Sequence, residues 1–150
     1  MSLPEMLVVV TIISLAVTVA VPLVSGAILS ARLRATTDQL RVSLQAARMI
    51  AVSQQSDVAV RIMAHPENRY EYEDSTGRNR VGRLPPAVCI AQATAPLLTF
   101  HANGSVDAEG TTVLSTIGQD GGSVTCDTAA PGFRLRTTLM GDTQVARIEP

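Results

Sequence analysis

Met1-Ser2-Leu3-Pro4-Glu5-Met6-Leu7-Val8-Val9-Val10-Thr11-Ile12-Ile13 opens the chain, and the apolar character it sets lasts to Leu29. No charged residue lies between Met6 and Leu29; Glu5 stands at the mouth of the run and Pro22 inside it. An uncharged stretch of this length is the signature of a membrane-spanning helix. At about 1.5 Å per residue it reaches roughly 36 Å, enough for a hydrocarbon core of about 30 Å. A carboxylate at the very edge of such a run must be paired, protonated or wet. Pro22 has no amide hydrogen and forfeits the helical bond to the carbonyl of Thr18.

The helical signal continues past the apolar run. No Gly or Pro occurs between Arg32 and Gln54, and Leu33, Thr37, Leu40, Leu44, Ala47 and Ala51 recur in alternating steps of four and three. That is one face of an amphipathic helix, with Arg34, Asp38, Arg41, Gln45 and Arg48 off the stripe. One continuous helix is therefore expected from about Leu3 to Ser53. Its first half is greasy all round and its second half is greasy on one side, so only the second half needs a folded head to cover it.

After Gln55 the period changes to alternation. Val58, Val60 and Ile62 mark a half-buried strand, and Tyr70-Glu71-Tyr72-Glu73 another, with His65-Pro66-Glu67-Asn68 as the turn between them. Ser75 to Arg80 reads as a polar loop. Short strands are expected at Ala87–Ala91, Leu97–Phe100 and Thr111–Ile117, the last followed by the glycine-rich Gly118-Gln119-Asp120-Gly121-Gly122. Phe133–Leu139 and Thr143–Ile148 read as a terminal hairpin about Gly141-Asp142. The fold class is α+β: a long N-terminal helix packed against a β-rich head of antiparallel sheets. Residues 1–30 form the transmembrane or filament-core segment, 31–55 the amphipathic continuation and 56–150 the head.

With 150 residues the chain has room for one modest domain beyond the helix. Two Tyr, two Phe and no Trp leave the core to Val, Ile, Leu and Ala. A net charge of −1 sets up no global field toward nucleic acid. There is no lysine: all twelve Lys/Arg positions are arginine. No catalytic constellation stands out. His65 and His101 lie in no metal-ligand pattern and read as surface or turn histidines. Asp107, Glu109, Asp120 and Asp127 lack the spacing of a calcium loop and read as solvated charges. No cofactor or metal is expected. Arg78, Arg80 and Arg83 form a small basic group in a loop, a candidate contact for nucleic-acid phosphates against the plainer reading of a solvated loop.

The opening segment, with Glu5 fifth and Pro22 twenty-second, resembles the mature N-terminus of type IV pilins and type II secretion pseudopilins. Pro4 departs from the aliphatic residue usual there. Asp38-Gln39-Leu40-Arg41-Val42-Ser43-Leu44-Gln45-Ala46-Ala47-Arg48-Met49-Ile50-Ala51, followed at once by a strand, and Leu98-Thr99-Phe100-His101-Ala102-Asn103-Gly104-Ser105 resemble the GspH/FimT branch. The resemblance implies a non-enzymatic minor pseudopilin or pilin of type II secretion or a type IV pilus. It implies a leader removed before Met1 by a prepilin peptidase, N-methylation of Met1, and a single pass through the bacterial inner membrane with a periplasmic or extracellular head. Glu5 would meet the Met1 amine of a neighbouring subunit, Pro22 would let the helix bend in the filament, and an inner-membrane assembly platform would insert the subunit. In that oxidising compartment Cys89 and Cys126 form a disulfide; the other reading is two buried thiols. The alternatives are a DNA-binding minor pilin for DNA uptake and a self-polymerising main pilin. The tail Val145-Ala146-Arg147-Ile148-Glu149-Pro150 has one arginine and one acid, which disfavours DNA.

Overall fold

The computed structural model describes the backbone of residues 3–74, 76–120, 123–126 and 131–148, and within these every side chain except those of residues 3, 17, 19–25, 118–120, 123 and 124. The chain divides into two compact units, Met1–Arg32 and Leu33–Pro150. Helix α1 (Leu3–Gln54) runs through the first and into the second. Nine strands follow: β1 (Val58–Met63), β2 (Arg69–Glu73), β3 (Asn79–Arg83), β4 (Val88–Ala93), β5 (Leu97–Phe100), β6 (Gly110–Asp120), β7 (Ser123–Cys126), β8 (Gly132–Thr137) and β9 (Thr143–Ile148). This is the α+β, helix-plus-antiparallel-sheet architecture that the periodicity predicts.

Within the second unit, all six residues of the α1 stripe, Leu33, Thr37, Leu40, Leu44, Ala47 and Ala51, are buried. The one polar member, Thr37, satisfies its hydroxyl by donating to the Leu33 carbonyl at 2.8 Å. The helix ends where Gln55 turns left-handed (φ 52°) and the Ser56 amide reaches back to the Ala51 carbonyl at 3.2 Å. That is the six-to-one bond of a Schellman terminus, made here without the usual glycine.

The strands form two antiparallel sheets. One has the order β3-β2-β1-β5; the other has the order β4-β6-β8-β9, with β7 paired to the far end of β6. On β1, Val58, Val60 and Ile62 point into the core while Ala59 and Arg61 face out. They meet Phe100, Leu98, Ile90, Leu114 and Leu135 around the buried α1 stripe in one cluster. The 64–68 turn links the sheets: Asn68 Oδ1 accepts from the Ile90 amide at 3.1 Å, and the His65 amide donates to the Ile90 carbonyl at 3.1 Å. Tyr70 lies across Gly82, whose missing Cβ would fall 2.1 Å from the ring, and its hydroxyl shares a 2.9 Å hydrogen bond with Ser43 of α1.

Four sequence expectations need correction; the simplest is the strand expected at Phe133–Leu139, which is β8, Gly132–Thr137, with Leu139 in the turn that follows. The polar loop is shorter than expected: Asn79 and Arg80 belong to β3, an edge strand without apolar alternation that is held by backbone pairing to β2. The strand expected at Thr111–Ile117 runs on to Asp120, because Gly118, Gln119 and Asp120 pair with Thr125, Val124 and Ser123 of β7. The strand at Ala87–Ala91 extends to Ala93 and carries a bulge between Ile90 and Gln92. Met1, Ser75, Gly121, Gly122 and Asp127 lie outside the described residues.

Candidate assembly surface

Within the first unit, Glu5 lies in the first turn of α1, where a carboxylate complements the helix dipole. Beyond it Met6, Leu7, Val8, Val9, Val10, Ile12, Ile13 and Leu15 are exposed. The hydroxyls of this segment are turned back on the helix: Thr11 donates to the carbonyls of Leu7 and Val8, Ser14 to Val10 and Thr18 to Ser14, at 2.7 to 3.1 Å. Such bonds spare the hydroxyls an unsatisfied donor in an apolar medium. Among the described residues no helix is long and apolar enough to cross a membrane. The side chains of residues 19–25, Pro22 included, lie outside the description, although α1 is helical through that position. Met1, the expected partner and methylation site, is also outside it.

Within the second unit the outer face of α1 is uncovered. Ala35, Asp38, Val42, Gln45, Met49 and Val52 follow one another in steps of three and four, each one or two positions after a member of the buried stripe. All six are exposed, Val42 at 61 %, Met49 at 72 % and Val52 at 47 %. An apolar repeat averaging about 3.5 residues is the pattern of a helix seam. Sequence reading found the buried stripe and passed over this one, because Asp38 and Gln45 dilute it.

The C-terminal end of this face abuts two loops. Arg48 Nε donates to the Gly104 carbonyl at 3.1 Å, and the Val106 amide donates to the Leu139 carbonyl at 2.9 Å. Gly141 (φ 72°) sits so close that a Cβ there would fall 2.2 Å from the Gly104 carbonyl and 2.9 Å from Arg48 Nε. Leu139 and Met140, on the β8–β9 turn, are exposed beside it.

His101 is more than a turn histidine. Its Nδ1 lies 3.0 Å from Asp57 Oδ1, and its Nε2 meets Asp107. The ring thus ties the α1–β1 linker to the loop after β5. Hydrogen bonding to Asp57 first and Asp107 second raises its pKa above the ordinary 6.5, and Asp107 is lowered by the His101 contact. Only the imidazolium has two N–H donors, so neutral His101 must release one aspartate. A raised folded-state pKa gives stability that is fully present below the unfolded value and lost as pH rises through the folded one. The thermal midpoint should therefore fall as pH rises from 6 to 9, modestly because the ring is 35 % exposed. His101→Gln should flatten that slope. An unchanged slope in the variant would remove the imidazolium from the account.

Asp107 and Glu109, expected as solvated charges, are both paired: Glu109 Oε2 accepts from Arg136 at 2.8 Å, and Asp107 takes His101. The candidate basic group does not assemble either. Arg80 Nε is 2.8 Å from Asp74 Oδ2, and Asp74 also accepts from the Thr76 hydroxyl, the Thr76 amide and the Arg78 amide, which hold its pKa far below the usual carboxylate range. Arg80 and Arg83 are three apart on β3, so they point to opposite faces of the sheet. Among the described residues no group of three metal-ligating side chains is found.

Cys89 of β4 and Cys126 of β7 form a disulfide, with Cα atoms 6.1 Å apart. It joins two strands that both pair with β6, Cys89 lying opposite Ser115 and Cys126 opposite Ile117.

No protein-family model and no curated protein sequence matches the chain. Two crystal structures of the Pseudomonas aeruginosa (strain PAO1) type IV minor pilin FimU do match in three dimensions. The first is 22 % identical, with a TM-score of 0.54 over 79 % of this chain and 88 % of that one. The second is 20 % identical, with a TM-score of 0.55 over 79 % of this chain and 93 % of that one. At this identity the likeness is one of fold. The chain has the type IV pilin fold, a long N-terminal helix whose second half forms one core with antiparallel sheets.

Proposed function

We propose that this chain is a non-enzymatic filament subunit of the GspH/FimT kind. Residues 1–30 anchor it once in a bacterial inner membrane, and the same segment then packs among neighbouring pilin or pseudopilin helices in the filament. Met1, Glu5 and Pro22 are its assembly residues, Met1 being freed and N-methylated by a prepilin peptidase. The observation that carries this reading is the division of α1: one face is buried in a head that has no need of the other, and the other carries an exposed apolar seam. The fold likeness to a type IV minor pilin supports a pilus over a secretion filament, and the Cys89–Cys126 bond fits a periplasmic or extracellular head. The arginines of β3 give no support to a DNA-uptake role.

The seam provides the test. Val42 and Met49 are exposed, so Val42→Glu with Met49→Glu should change head stability by no more than about 0.5 kcal/mol. Two carboxylates on a packed helix seam should cut incorporation of this subunit about tenfold or more, a loss of about 1.4 kcal/mol or more in assembly. Incorporation is read as the ratio of this subunit in sheared filaments to that in membranes. A parental ratio in the double variant would rule out the outer face of α1 as an assembly surface.

A further inference from the structure

The edge of the four-stranded sheet has a feature that filament packing through α1 does not use. β3 is the outermost strand. Just beyond its ends, the Asp74 amide donates to the Arg78 carbonyl at 2.8 Å and the Leu84 amide to the Asn68 carbonyl at 3.1 Å. Those bonds fix the parity of the ladder: residues 78, 80, 82 and 84 direct their backbone groups inward to β2. Asn79, Val81 and Arg83 therefore direct N–H and C=O outward. The register with β2 is unbroken over all five residues, and no proline interrupts the strand. Val81, at its centre, is 49 % exposed.

Open edges are normally blunted by a bulge, a proline or a charge. Only charge is present here, and it is of one sign. Arg80 is neutralised by Asp74. Arg83 lies directly across from Arg69, which is already engaged by Glu67 at 3.7 Å and Glu71 at 3.4 Å. Like charges opposite one another on a sheet are unfavourable. Among the described residues the Arg83 and Arg78 guanidiniums meet no carboxylate, and β3 itself carries no acid. A second copy of β3 would add two more such cations to the edge. An acidic strand would remove the conflict at Arg83 and complete the ladder, so the arginines that discourage self-pairing select that partner.

We propose that β3 is a docking edge for an extended, acidic segment of a partner protein, added antiparallel as a fifth strand. Its residue across from Val81 is apolar. A carboxylate two positions earlier faces Arg83, and one three positions later faces Arg78 on the other side of the strand. Backbone bonds to residues 79, 81 and 83 supply the affinity and the two ion pairs the selection.

The probe is Ac-Thr-Glu-Thr-Val-Thr-Thr-Glu-Thr-NH2, titrated into the full chain, labelled with 15N in detergent micelles. Saturable amide shifts centred on Asn79, Val81 and Arg83 are expected, weakening as salt is raised. Arg78→Glu with Arg83→Glu, both exposed and outside the core, should weaken binding about tenfold or more at a thermal midpoint no lower than the parent's. The peptide with lysine in place of glutamate should not bind. The proposal is overturned if no shifts appear, if the lysine peptide binds equally, or if the shifts centre on β9, the last strand of the second sheet, at Thr143, Val145 and Arg147. It is also overturned if amides 79, 81 and 83 shift with protein concentration alone, because a second copy would then be the occupant.

Discussion

Glu5→Ala is expected to leave this chain in the membrane and out of the filament. In the proposed reading the uncharged run from Met6 to Leu29 is the inserting segment, and removing one edge acid takes no hydrophobicity from it, so that step should not be hindered. Assembly is different. Glu5 lies in the first turn of α1; in the proposed filament it would meet the amine of a neighbouring Met1, and a low dielectric there would strengthen the attraction. Without the acid, the amine of the adjacent subunit enters the filament core unpaired. Breaking a buried pair by removing one partner costs about 3–5 kcal/mol. That corresponds to a loss of roughly two to three and a half orders of magnitude in incorporation. Glu5→Asp should fall between, since the charge survives and the reach shortens. The measurement is the amount of this subunit, by its own antibody, in sheared filaments and in membranes. Parental incorporation of the alanine variant would sink the pairing and leave a carboxylate that merely snorkels to the headgroups.

The parts of the fold that sequence makes legible are those with a strong period and one buried side. Leu33, Thr37, Leu40, Leu44, Ala47 and Ala51 declare the buried face of α1, and Val58, Val60 and Ile62 that of β1, because each is apolar where it meets the core. The terminal hairpin is legible through Gly141, which takes the left-handed conformation the turn requires. β3 and β7 are not: Asn79-Arg80-Val81-Gly82-Arg83 has no buried apolar stripe and is held by backbone pairing to β2, and Ser123-Val124-Thr125-Cys126 is a four-residue strand paired to the end of β6.

The candidate site divides in the same way. Glu5 and Pro22 stand out because an acid and a proline are costly in an apolar helix. Asp57, His101 and Asp107 are ordinary residues in sequence, and the pairing of Asp57 with His101 spans 44 positions. Nothing local announces such a contact. The Arg48–Gly104–Gly141 junction is hidden for the same reason, although two glycines in separate turns are a trace of it. The basic group fails because charge spacing along a chain does not say which face of a strand each arginine occupies, nor that Asp74 already holds Arg80.

Cys89→Ala with Cys126→Ala should destabilise the head by about 4 kcal/mol, since in the chain-entropy model that is what closing a loop of this length removes from the unfolded state. The bond spans 37 positions and encloses β5, β6 and the connections that lead from β4 to β7. For a head of this size the thermal midpoint should drop on the order of 15 °C. A cavity cannot be the whole cause. Cys89 is fully buried, between Val88 and Ile90, and its loss opens a hole, whereas Cys126 is only partly buried. Cys126→Ala alone therefore removes the cross-link with little lost packing, and it should account for most of the double variant's effect. The loss should also be uneven. β7 is held by its four-residue register with β6 and by the disulfide, while β4 is paired along its length with β6 in the core. Hydrogen exchange should consequently speed first in β7 and the distal end of β6, at Ile117 to Asp120, and last at Ile90 and Leu114. A midpoint within a few degrees of the parent, with uniform exchange, would mean that pairing along β6 holds the two strands without the bond.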